Sequence, residues 1–584
     1  MVVEIIEGGR KREKITIHRI SKGDVMEERI WHKAYAEEVP PSVDYEEITL
    51  PEALERTAKR FPDTVALIMM GKKITYRELN ELVNRFAGAL ADLGIRKGDK
   101  VSLLLPNMPQ VVIASYAVFR LGAVVVMNNP LYTESELEHQ LNDSDSKMAI
   151  SLDLLVPRML KLKEKTGIEA IISCHIRDYL PFPKKQLFPF VKKKMHRKTD
   201  PSEGVHDFMD LINKYPPTAP KAEVLFDDLA ALLYTGGTTG VSKGVMLTHK
   251  NCSICVQQLK AWIHDADDGK DSMLGTFPVF HIAGFTTGMN TAIFRGLTFI
   301  LIPRPEPGIV LEMTRKYRPD WFPCVPTIFV GVLNHPDFPK TDFSFVKGCL
   351  SGAAPLAVET IHQWEETVGA GIVECYGLTE TAVLTHANPW GGKTKAGSVG
   401  VPVSDTDCRI VDVETGTKDL PLGESGEILV KGPQVTEGYY KNPEETDNAI
   451  RDGWLYTGDI GYMDDEGYLF IVDRKKDMII AGGYNIYPRD IDEVLYEHSG
   501  IQEACAVGIP DSYRGETVKV FIVPREGETL TEEEVIAFCK KKLAAYKVPK
   551  MVEFMDELPK STVGKVLRRE LREMEIERAK NKEG

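Results

Sequence analysis

Several features that would assign a chain of this size to a special class are scarce or absent. No apolar run approaches the roughly 20 residues that cross a bilayer, and residues 1–14 alternate charged and apolar side chains, unlike a secretory signal. We therefore expect a cytoplasmic protein. The 72 Lys and Arg residues are outnumbered by 86 Asp and Glu residues, for a net charge of −14. The chain as a whole has no electrostatic reason to bind nucleic acid.

Cysteine is also scarce. Nine cysteines are spread from Cys174 to Cys539, an odd and dilute set that argues against the disulfide framework of a small secreted domain. Cys252 and Cys255 form a C-x-x-C pair, but no second pair or histidine pair follows at the spacing of a metal site. We predict reduced thiols in the protein core and no metal or redox role for this pair.

Apolar material is sufficient for more than one core, because 43% of the 584 residues are hydrophobic and 27% are charged. Short apolar strands, such as residues 123–127, 229–234 and 372–375, alternate with helical patterns, such as residues 111–121. This alternation is typical of α/β layers. We predict a large N-terminal α/β body of several subdomains over residues 1–474 and a small C-terminal α+β domain over residues 475–584.

One surface stretch departs from this background. Between Asp178 and Asp200 there is no acidic residue. Basic and apolar side chains alternate there, namely Lys184, Lys185, Lys192, Lys193, Lys194, Arg197 and Lys198 with Leu180, Phe182, Leu187, Phe188 and Phe190. Residues 179–199 suit a membrane surface that carries anionic lipid. A solvated surface excursion is the alternative, because three prolines prevent a long amphipathic helix.

Residues 234–244 read Tyr-Thr-Gly-Gly-Thr-Thr-Gly-Val-Ser-Lys-Gly. Glycines let the backbone approach an anion, threonine hydroxyls donate hydrogen bonds, and a lysine adds positive charge, which together predict a phosphate-binding loop. The candidate residues are Thr235, Gly236, Gly237, Thr238, Thr239, Gly240 and Lys243. The segment is not a Walker loop, because Lys243 follows Ser242 instead of Gly. A glycine-rich turn without a ligand is the alternative.

Five further motifs follow in order: Ser-Gly-Ala-Ala-Pro at residues 351–355, Tyr-Gly-Leu-Thr-Glu at 376–380, Tyr-Thr-Gly-Asp at 456–459, Asp-Arg-Lys-Lys-Asp at 473–477, and Pro-Lys-Ser-Thr-Val-Gly-Lys at 559–565. With the glycine-rich segment, this series resembles the adenylate-forming superfamily, which includes acyl-CoA synthetases, the adenylation domains of peptide synthetases and firefly luciferase. Each motif alone is weak, whereas the ordered set covers most of the chain.

The resemblance implies an enzyme that joins a carboxylate to the α-phosphate of ATP. Two anions must meet, so the reaction needs neutralised charge and fixed geometry more than proton transfer. By resemblance, Glu380 with Thr235 would bind Mg²⁺, and Lys565 would be the adenylation lysine that the small domain delivers. Outside its motif, Glu380 or Lys565 would be interpreted as a solvated surface charge.

By the same resemblance, the nucleotide would lie against two motifs and an acidic side chain. Tyr376 would stack on adenine, Asp459 would accept both ribose hydroxyls, and Arg474 would reinforce that contact. The remaining candidates for this pocket are Gly352, Ala353, Ala354, Cys375, Gly377 and Thr379. Without the resemblance, Tyr376 would be interpreted as a core aromatic and Asp459 as a turn residue.

Transfer of the acyl group to coenzyme A requires a second active site, which members of the family form by rotating a mobile small domain. Lys476 matches their hinge position. Gly483 matches a glycine that lines the pantetheine tunnel, where a Cβ would narrow the passage. The alternatives are an ordinary linker lysine and an ordinary turn glycine.

The substrate-side motif, residues 278–285, reads Pro-Val-Phe-His-Ile-Ala-Gly-Phe. It resembles the acyl-CoA synthetase version, with His281 as a catalytic candidate and no acid to hold a substrate amino group; a packed core histidine is the alternative. Phe285 lies where long-chain enzymes have an aromatic gate, and a core aromatic is the alternative. We predict ATP-dependent ligation of a medium- to long-chain fatty acid to coenzyme A. The alternatives are a ligase for aryl, short-chain or amino acids, an enzyme without CoA transfer, and a non-catalytic relative. Peripheral contact with the inner membrane surface and a homodimer are compatible with the sequence.

Overall fold

The computed structural model describes residues 29–218, 220, 222–236, 242–481, 484–511, 514–561 and 565–583. Within them, the α-helices are α1 (Leu50–Arg60), α2 (Tyr76–Asp92), α3 (Pro109–Arg120), α4 (Glu134–Asp143), α5 (Val156–Lys163), α6 (Lys184–Val191), α7 (Phe208–Lys214), α8 (His249–Trp262), α9 (Thr291–Arg295), α10 (Pro307–Tyr317), α11 (Pro326–Leu333), α12 (Val358–Val368), α13 (Pro443–Ala449), α14 (Pro488–Tyr496), α15 (Glu532–Lys542) and α16 (Arg568–Glu583). In this described part of the chain, none of the helices has both the length and the apolar character to cross a bilayer.

The strands are β1 (Val65–Met69), β2 (Lys72–Thr75), β3 (Lys100–Leu104), β4 (Val124–Met127), β5 (Ser146–Leu152), β6 (Ala170–Cys174), β7 (Val205–Asp207), β8 (Leu229–Gly236), β9 (Ser242–Thr248), β10 (Ser272–Gly275), β11 (Thr298–Leu301), β12 (Trp321–Cys324), β13 (Gly348–Ser351), β14 (Ile372–Tyr376), β15 (His386–Ala387), β16 (Val401–Pro402), β17 (Asp407–Val411), β18 (Gly426–Lys431), β19 (Ile450–Arg451), β20 (Trp454–Met463), β21 (Leu469–Arg474), β22 (Ile479–Ala481), β23 (Tyr484–Ile486), β24 (Ile501–Asp511), β25 (Gly515–Pro524) and β26 (Met551–Phe554).

Two large sheets form the N-terminal body. The first has the order β16-β15-β14-β13-β12-β10-β11-β1-β2, and the second has the order β7-β6-β5-β3-β4-β8-β9. The central strands of both sheets run parallel, while the pairs toward the ends of the sheets, β1–β2, β8–β9, β14–β15 and β15–β16, are antiparallel. Parallel strands place their carboxyl ends along one edge, which is where α/β sheets bind ligands.

Helix α3 shows how the sequence joins the two sheets. All twelve of its residues are buried, as expected of a helix that is apolar around most of its circumference. It packs on α1, α2 and strands β3 and β4, and the ring of Phe119 meets that of Phe285 at 6.2 Å. A single hydrophobic cluster therefore runs through both sheets.

The third sheet is antiparallel, in the order β17-β18-β20-β19 with β21 beside β20. The last sheet belongs to the C-terminal part, in the order β23-β22-β25-β24 with β26 beside β25. Side chains along β24 alternate in period two: Ala504 and Ala506 join one core, and Cys505 and Val507 join another. Helices α14 and α15 cover one face, and α16 covers the other.

The predicted fold class is confirmed, with a large mixed α/β N-terminal body and a smaller C-terminal part. The predicted helix at residues 111–121 and strands at residues 123–127, 229–234 and 372–375 correspond to α3, β4, β8 and β14. All nine cysteines are free, and eight of them are buried. Cys252 and Cys255 lie inside α8, where burial raises the pKa of both thiols, which agrees with unreactive core residues.

Candidate nucleotide cleft

The β8–β9 hairpin carries the two described ends of the predicted phosphate loop. Thr235 in β8 lies opposite Lys243 in β9 in an antiparallel register. The hairpin therefore holds Thr235 and Lys243 next to each other at one end of the second sheet. The predicted residues Gly237, Thr238, Thr239 and Gly240 lie outside the described residues, as does Gly483.

Lys243 and Glu380 come together around one tyrosine ring. The Lys243 ammonium lies 5.2 Å from the centroid of the Tyr439 ring and forms an ion pair with Glu445. The hydroxyl of Tyr439 donates to Glu380 Oε1 at 2.9 Å. Burial raises the pKa of Glu380 above its usual value, although the Tyr439 hydrogen bond opposes the shift. A desolvated carboxylate thus lies close to the lysine of the phosphate loop.

The ends of two parallel strands form the predicted adenine side. Residues 352–354 follow β13, and Cys375 and Tyr376 end β14, the parallel neighbour of β13. A Cβ built on Gly352 would lie 3.5 Å from the carbonyl of Cys375, in ordinary contact. A Cβ on Gly377 would lie 1.8 Å from the Val383 carbonyl oxygen, so only glycine lets the chain turn there. Thr379 and Glu380 follow in a short 3₁₀ turn.

Asp459 is the polar centre of the cleft. The hydroxyl of Tyr376 donates to its Oδ2 at 2.7 Å, and Arg474 Nε lies 2.9 Å from its Oδ1. Asp459 and Arg474 face each other in the β20–β21 register, so the sheet itself fixes this ion pair. Burial, and then the neighbouring Asp459, raise the pKa of Tyr376. Three of the sequence-predicted residues are therefore in direct contact.

Lys565 reaches this centre from the C-terminal part. Its side chain remains accessible to solvent, yet protein surrounds it closely enough to desolvate the ammonium. Desolvation, and then the positive charge of Arg474, lower its pKa to about 8, while Asp459 and Asp477 oppose the shift. An accessible but partly desolvated ammonium is what an open cleft produces. The structure thus brings Lys565 within electrostatic reach of Asp459 and Arg474.

His281 and Phe285 belong to the substrate-side motif, which lies between β10 and α9. His281 precedes a π-helix, Ala283–Asn290, and its Nδ1 accepts a hydrogen bond from the Ala283 backbone at 3.3 Å. Burial lowers the pKa of His281 to about 4, so the imidazole is neutral at pH 7. Phe285 is completely buried in the main core. Within the described residues, His281 forms no hydrogen bond to the Asp459 centre.

Sequence reasoning missed Tyr439, Glu445 and Arg568. Tyr439 and Glu445 contact Glu380 and Lys243, respectively, and Arg568 forms ion pairs with Asp492 and Asp473 near Lys565. No motif includes Tyr439 or Glu445, and Arg568 begins a helix that resembles a solvated tail. The one local signal is Gly438, whose φ of 144° marks a special turn before Tyr439.

Comparison with known proteins agrees with this arrangement. The model of the AMP-binding enzyme family matches residues 54–440, and the model of the AMP-binding enzyme C-terminal domain matches residues 490–565. The chain belongs to the AMP-binding enzyme family. The long-chain-fatty-acid–CoA ligase of Bacillus subtilis is 46% identical over 95% of this chain and 99% of its own length. That of Escherichia coli is 40% identical over 93% and 98%, respectively.

The chain also resembles solved structures. ATP-bound MatB from Rhodopseudomonas palustris is 30% identical and has a TM-score of 0.79, over 90% of this chain and 99% of that chain. The apo form of MatB, with the same coverage, has a TM-score of 0.69. The present structure is therefore more similar to the ATP-bound form of that protein than to the apo form.

Proposed function

We propose that this protein activates a medium- to long-chain fatty acid with ATP, forming an acyl-adenylate and pyrophosphate, and then transfers the acyl group to coenzyme A with release of AMP. The observation that supports the proposal is that Lys565 lies within electrostatic reach of Asp459 and Arg474, which are themselves paired at 2.9 Å. It brings a cation from the C-terminal part to the strand ends at which the N-terminal body would bind a nucleotide.

In the first half-reaction, the two carboxylate oxygens of Asp459 accept hydrogen bonds from the two ribose hydroxyls. Before ATP binds, one of these oxygens accepts a hydrogen bond from the Tyr376 hydroxyl and the other contacts Arg474, so the carboxylate is already oriented. Tyr376 covers adenine, with residues 352–354 beside it. Thr235, Lys243 and the glycine-rich loop hold the phosphates. Lys565 neutralises the charge that develops as the carboxylate attacks the α-phosphorus.

The Glu380 region fits a hard divalent cation. Its carboxylate is desolvated, accepts one hydrogen bond from Tyr439, and lies near the phosphate loop. A buried carboxylate gains from a cation, and oxygen is the ligand that Mg²⁺ prefers. We assign Glu380, with Thr235, as the residues that would hold Mg²⁺. The ion would supply neutralisation of the charge on the ATP phosphates.

The acid is assigned from the substrate-side motif. His281 is neutral at pH 7 because its pKa is about 4, and the adjoining π-helix Ala283–Asn290 is buried throughout. A buried segment without charged side chains favours an alkyl chain over a charged amino acid. Curated relatives that match over nearly the full length act, by name, on long-chain fatty acids. We retain His281 as a residue that contacts the acyl carboxylate and Phe285 as a gate.

For the second half-reaction, we place the boundary between the two domains at residues 474 and 475. Strand β21 ends at Arg474 in the third sheet, and β22 begins at Ile479 in the last sheet. Between them, Lys475–Asp477 form a single 3₁₀ turn. Rotation about this turn, with Lys476 as its pivot, would remove Lys565 and bring the Gly483 segment to the acyl-adenylate as the entry for coenzyme A.

We also propose that residues 179–199 contact a membrane. Large apolar side chains are exposed there, with exposed fractions of 83% for Phe182, 74% for Phe190 and 70% for Val191. Lys184 and Lys192 are exposed beside them. Apolar side chains flanked by lysines suit the surface of a bilayer that contains anionic lipid. The enzyme would thus be cytoplasmic, with peripheral contact at the inner membrane surface.

The deciding experiment is a panel of carboxylic acids with purified protein, ATP, Mg²⁺ and coenzyme A, measuring AMP release. Fatty acids of medium or long chain should give the highest kcat/KM, and pyrophosphate exchange into ATP should depend on the same acids. If aryl or short-chain acids are preferred, the substrate assignment is wrong while the chemistry stands. If no acid yields AMP, the protein is a non-catalytic relative.

A further inference from the structure

A cluster of histidine and aspartate side chains lies at the end of the second sheet. Asp153 directly follows β5, His175 directly follows β6, and Asp207 ends β7. These three strands are parallel neighbours, so their carboxyl ends meet at one edge. His196 reaches the same point from the stretch after α6. We call Asp153, His175 and His196 the histidine cluster; it shares no residue with the proposed nucleotide cleft.

Three potential ligand atoms converge in the histidine cluster. Asp153 Oδ2 lies 2.9 Å from His175 Nδ1 and 3.3 Å from His196 Nδ1. All three atoms lie within 4.8 Å of one another. Ligand atoms about 2.0–2.1 Å from a tetrahedral zinc ion are separated by about 3.3–3.4 Å. Among the residues that the structure describes, these three are the His, Cys, Asp or Glu side chains that lie close enough together to hold a metal ion.

The second nitrogen of His175 provides an independent indication. His175 Nε2 lies 2.9 Å from Thr199 Oγ1 and 3.2 Å from Asp207 Oδ2. Asp207 is itself fixed, because its other oxygen, Oδ1, accepts hydrogen bonds from the backbone N–H groups of Met209 and Asp210. A histidine that binds a metal usually donates its other ring N–H to such a carboxylate, which fixes the tautomer. When an ion is bound, this contact would leave the Nδ1 lone pair free to point at it; otherwise Nδ1 donates to Asp153 Oδ2, 2.9 Å away.

Burial and charge also favour a cation. The side chains of Asp153 and His175 are 2% exposed, and that of His196 is 13% exposed. The carboxylates of Asp153, Asp178 and Asp207 lie around His175, whereas His196 has Asp153 as its negative neighbour and Arg177 and His175 as positive neighbours. Two imidazole nitrogens and one carboxylate oxygen form a ligand set typical of zinc sites, with a water molecule as the fourth ligand.

We propose that Asp153, His175 and His196 bind Zn²⁺ or a similar divalent transition metal, with Asp207 and Thr199 orienting His175. The metal closes a loop of about 20 residues between His175 and His196, and this loop contains helix α6. Asp153 Oδ2 also accepts a hydrogen bond from the Arg197 backbone N–H at 2.8 Å, so the ion would strengthen a contact that already joins this loop to the sheet. The site therefore ties the exposed apolar segment to the rigid sheet edge. The proposal does not depend on the proposed reaction.

The test uses the full-length protein. It is treated with a chelator, desalted, incubated with Zn²⁺, desalted again and analysed for bound metal by mass spectrometry. The unmodified chain should retain about one Zn²⁺. His196→Asn is the chosen variant because His196 is the most exposed of the three ligands. Loss of a ligand should lower the affinity for Zn²⁺ by more than the roughly 10- to 100-fold that loss of a ligand's hydrogen-bond partner costs. His362→Asn is the matched control, since His362 is exposed on α12, and should bind like the unmodified chain.

A second readout identifies the ligands directly. Co²⁺ in place of Zn²⁺ should give visible absorption bands of a tetrahedral N₂O₂ site, and His196→Asn should change them. Failure of the unmodified chain to retain metal would overturn the proposal, and so would equal retention by His196→Asn. In the first case the cluster is only a set of hydrogen bonds from His175 to Asp153 and Asp207. Formation of AMP by the same His196→Asn preparation reports separately on the proposed function.

Discussion

The charge of Lys565 can be removed by pH alone, which tests its proposed role without changing the protein. Desolvation and the nearby Arg474 lower the pKa of Lys565 from 10.5 to about 8. The ammonium is therefore present below pH 8 and is lost as the pH rises through that value. If this charge stabilises the adenylation transition state, then kcat/KM for ATP must fall over the same range.

The expected size follows from the fraction of charged lysine. One pH unit above its pKa about one tenth of the ammonium remains, so kcat/KM for ATP at pH 9 should be about one tenth of its value on the neutral plateau. Bound ATP brings anionic oxygens close to the ammonium and raises its pKa. The decrease in kcat should therefore occur at higher pH than the decrease in kcat/KM, because kcat reports the enzyme with ATP bound.

Fatty-acid-dependent exchange of pyrophosphate into ATP is the suitable assay. It omits coenzyme A, so the titration of the substrate thiol does not contribute. The arginine of Lys565→Arg keeps its positive charge to about pH 12. The exchange rate of this variant should therefore not decrease above pH 8, even if its rate on the neutral plateau is lower. Lys565→Ala should lower the plateau about 10²–10³-fold. Thioester formation from supplied acyl-adenylate should remain close to normal in both variants.

Two results would refute the reasoning. A decrease near pH 8 that persists unchanged in Lys565→Arg would belong to another group. An equal loss of adenylation and thioester formation in Lys565→Ala would show a structural role for the lysine. Circular dichroism and thermal melting of the variants serve as folding controls.

Three further substitutions test other parts of the proposal. Asp459→Asn removes the charge that orients Arg474 and should raise the KM for ATP about 10- to 100-fold; an unchanged KM would contradict the ribose assignment. Arg489→Ala deletes a hydrogen bond to a main-chain carbonyl of the large body. This variant should slow pyrophosphate exchange about tenfold while sparing thioester formation. The control is Lys542→Ala, which breaks an ion pair inside the small domain and should change neither rate. Phe190→Ser should weaken binding to vesicles that contain anionic lipid by about 10-fold or more, and Leu422→Ser, which removes a 54% exposed leucine elsewhere, is the control; equal binding of both variants would exclude the membrane contact.

Much of the fold could be predicted from the sequence because its signals are local, whereas the residues of the Asp459 centre follow from the resemblance of their motifs, since Tyr376 and Asp459 are 83 positions apart. The pairing of Asp459 with Arg474 connects two motifs on adjacent strands. In contrast, the contact between Tyr439 and Glu380 joins residues 59 positions apart, and that between Lys243 and Glu445 spans 202 positions. Such partners depend on which strands become neighbours, and no pattern near Tyr439 or Glu445 records that choice.

The histidine cluster escaped prediction for a related reason. His175 and His196 are separated by the basic and aromatic segment, whose composition suggested only a surface role. Metal motifs are recognised by short fixed spacings, whereas Asp153, His175 and Asp207 are brought together by the order β5-β6-β7. The sequence carries the ligands, but the parallel sheet supplies their spacing.

The contacts between the two proposed domains bear on the proposed rotation between two active sites. The cores of the small domain contain residues after Met478, and the described core of the large body contains no residue beyond Ile471. Polar contacts join the two: Lys475 with Glu427 at 2.8 Å, Arg489 with the Ile471 carbonyl at 2.6 Å, and Arg568 with Asp473 at 3.6 Å. These contacts are made by charged side chains, and water can replace the partners of charged groups. Because neither core must open, rotation about Lys475–Asp477 would cost a few polar contacts instead of the stability of either domain.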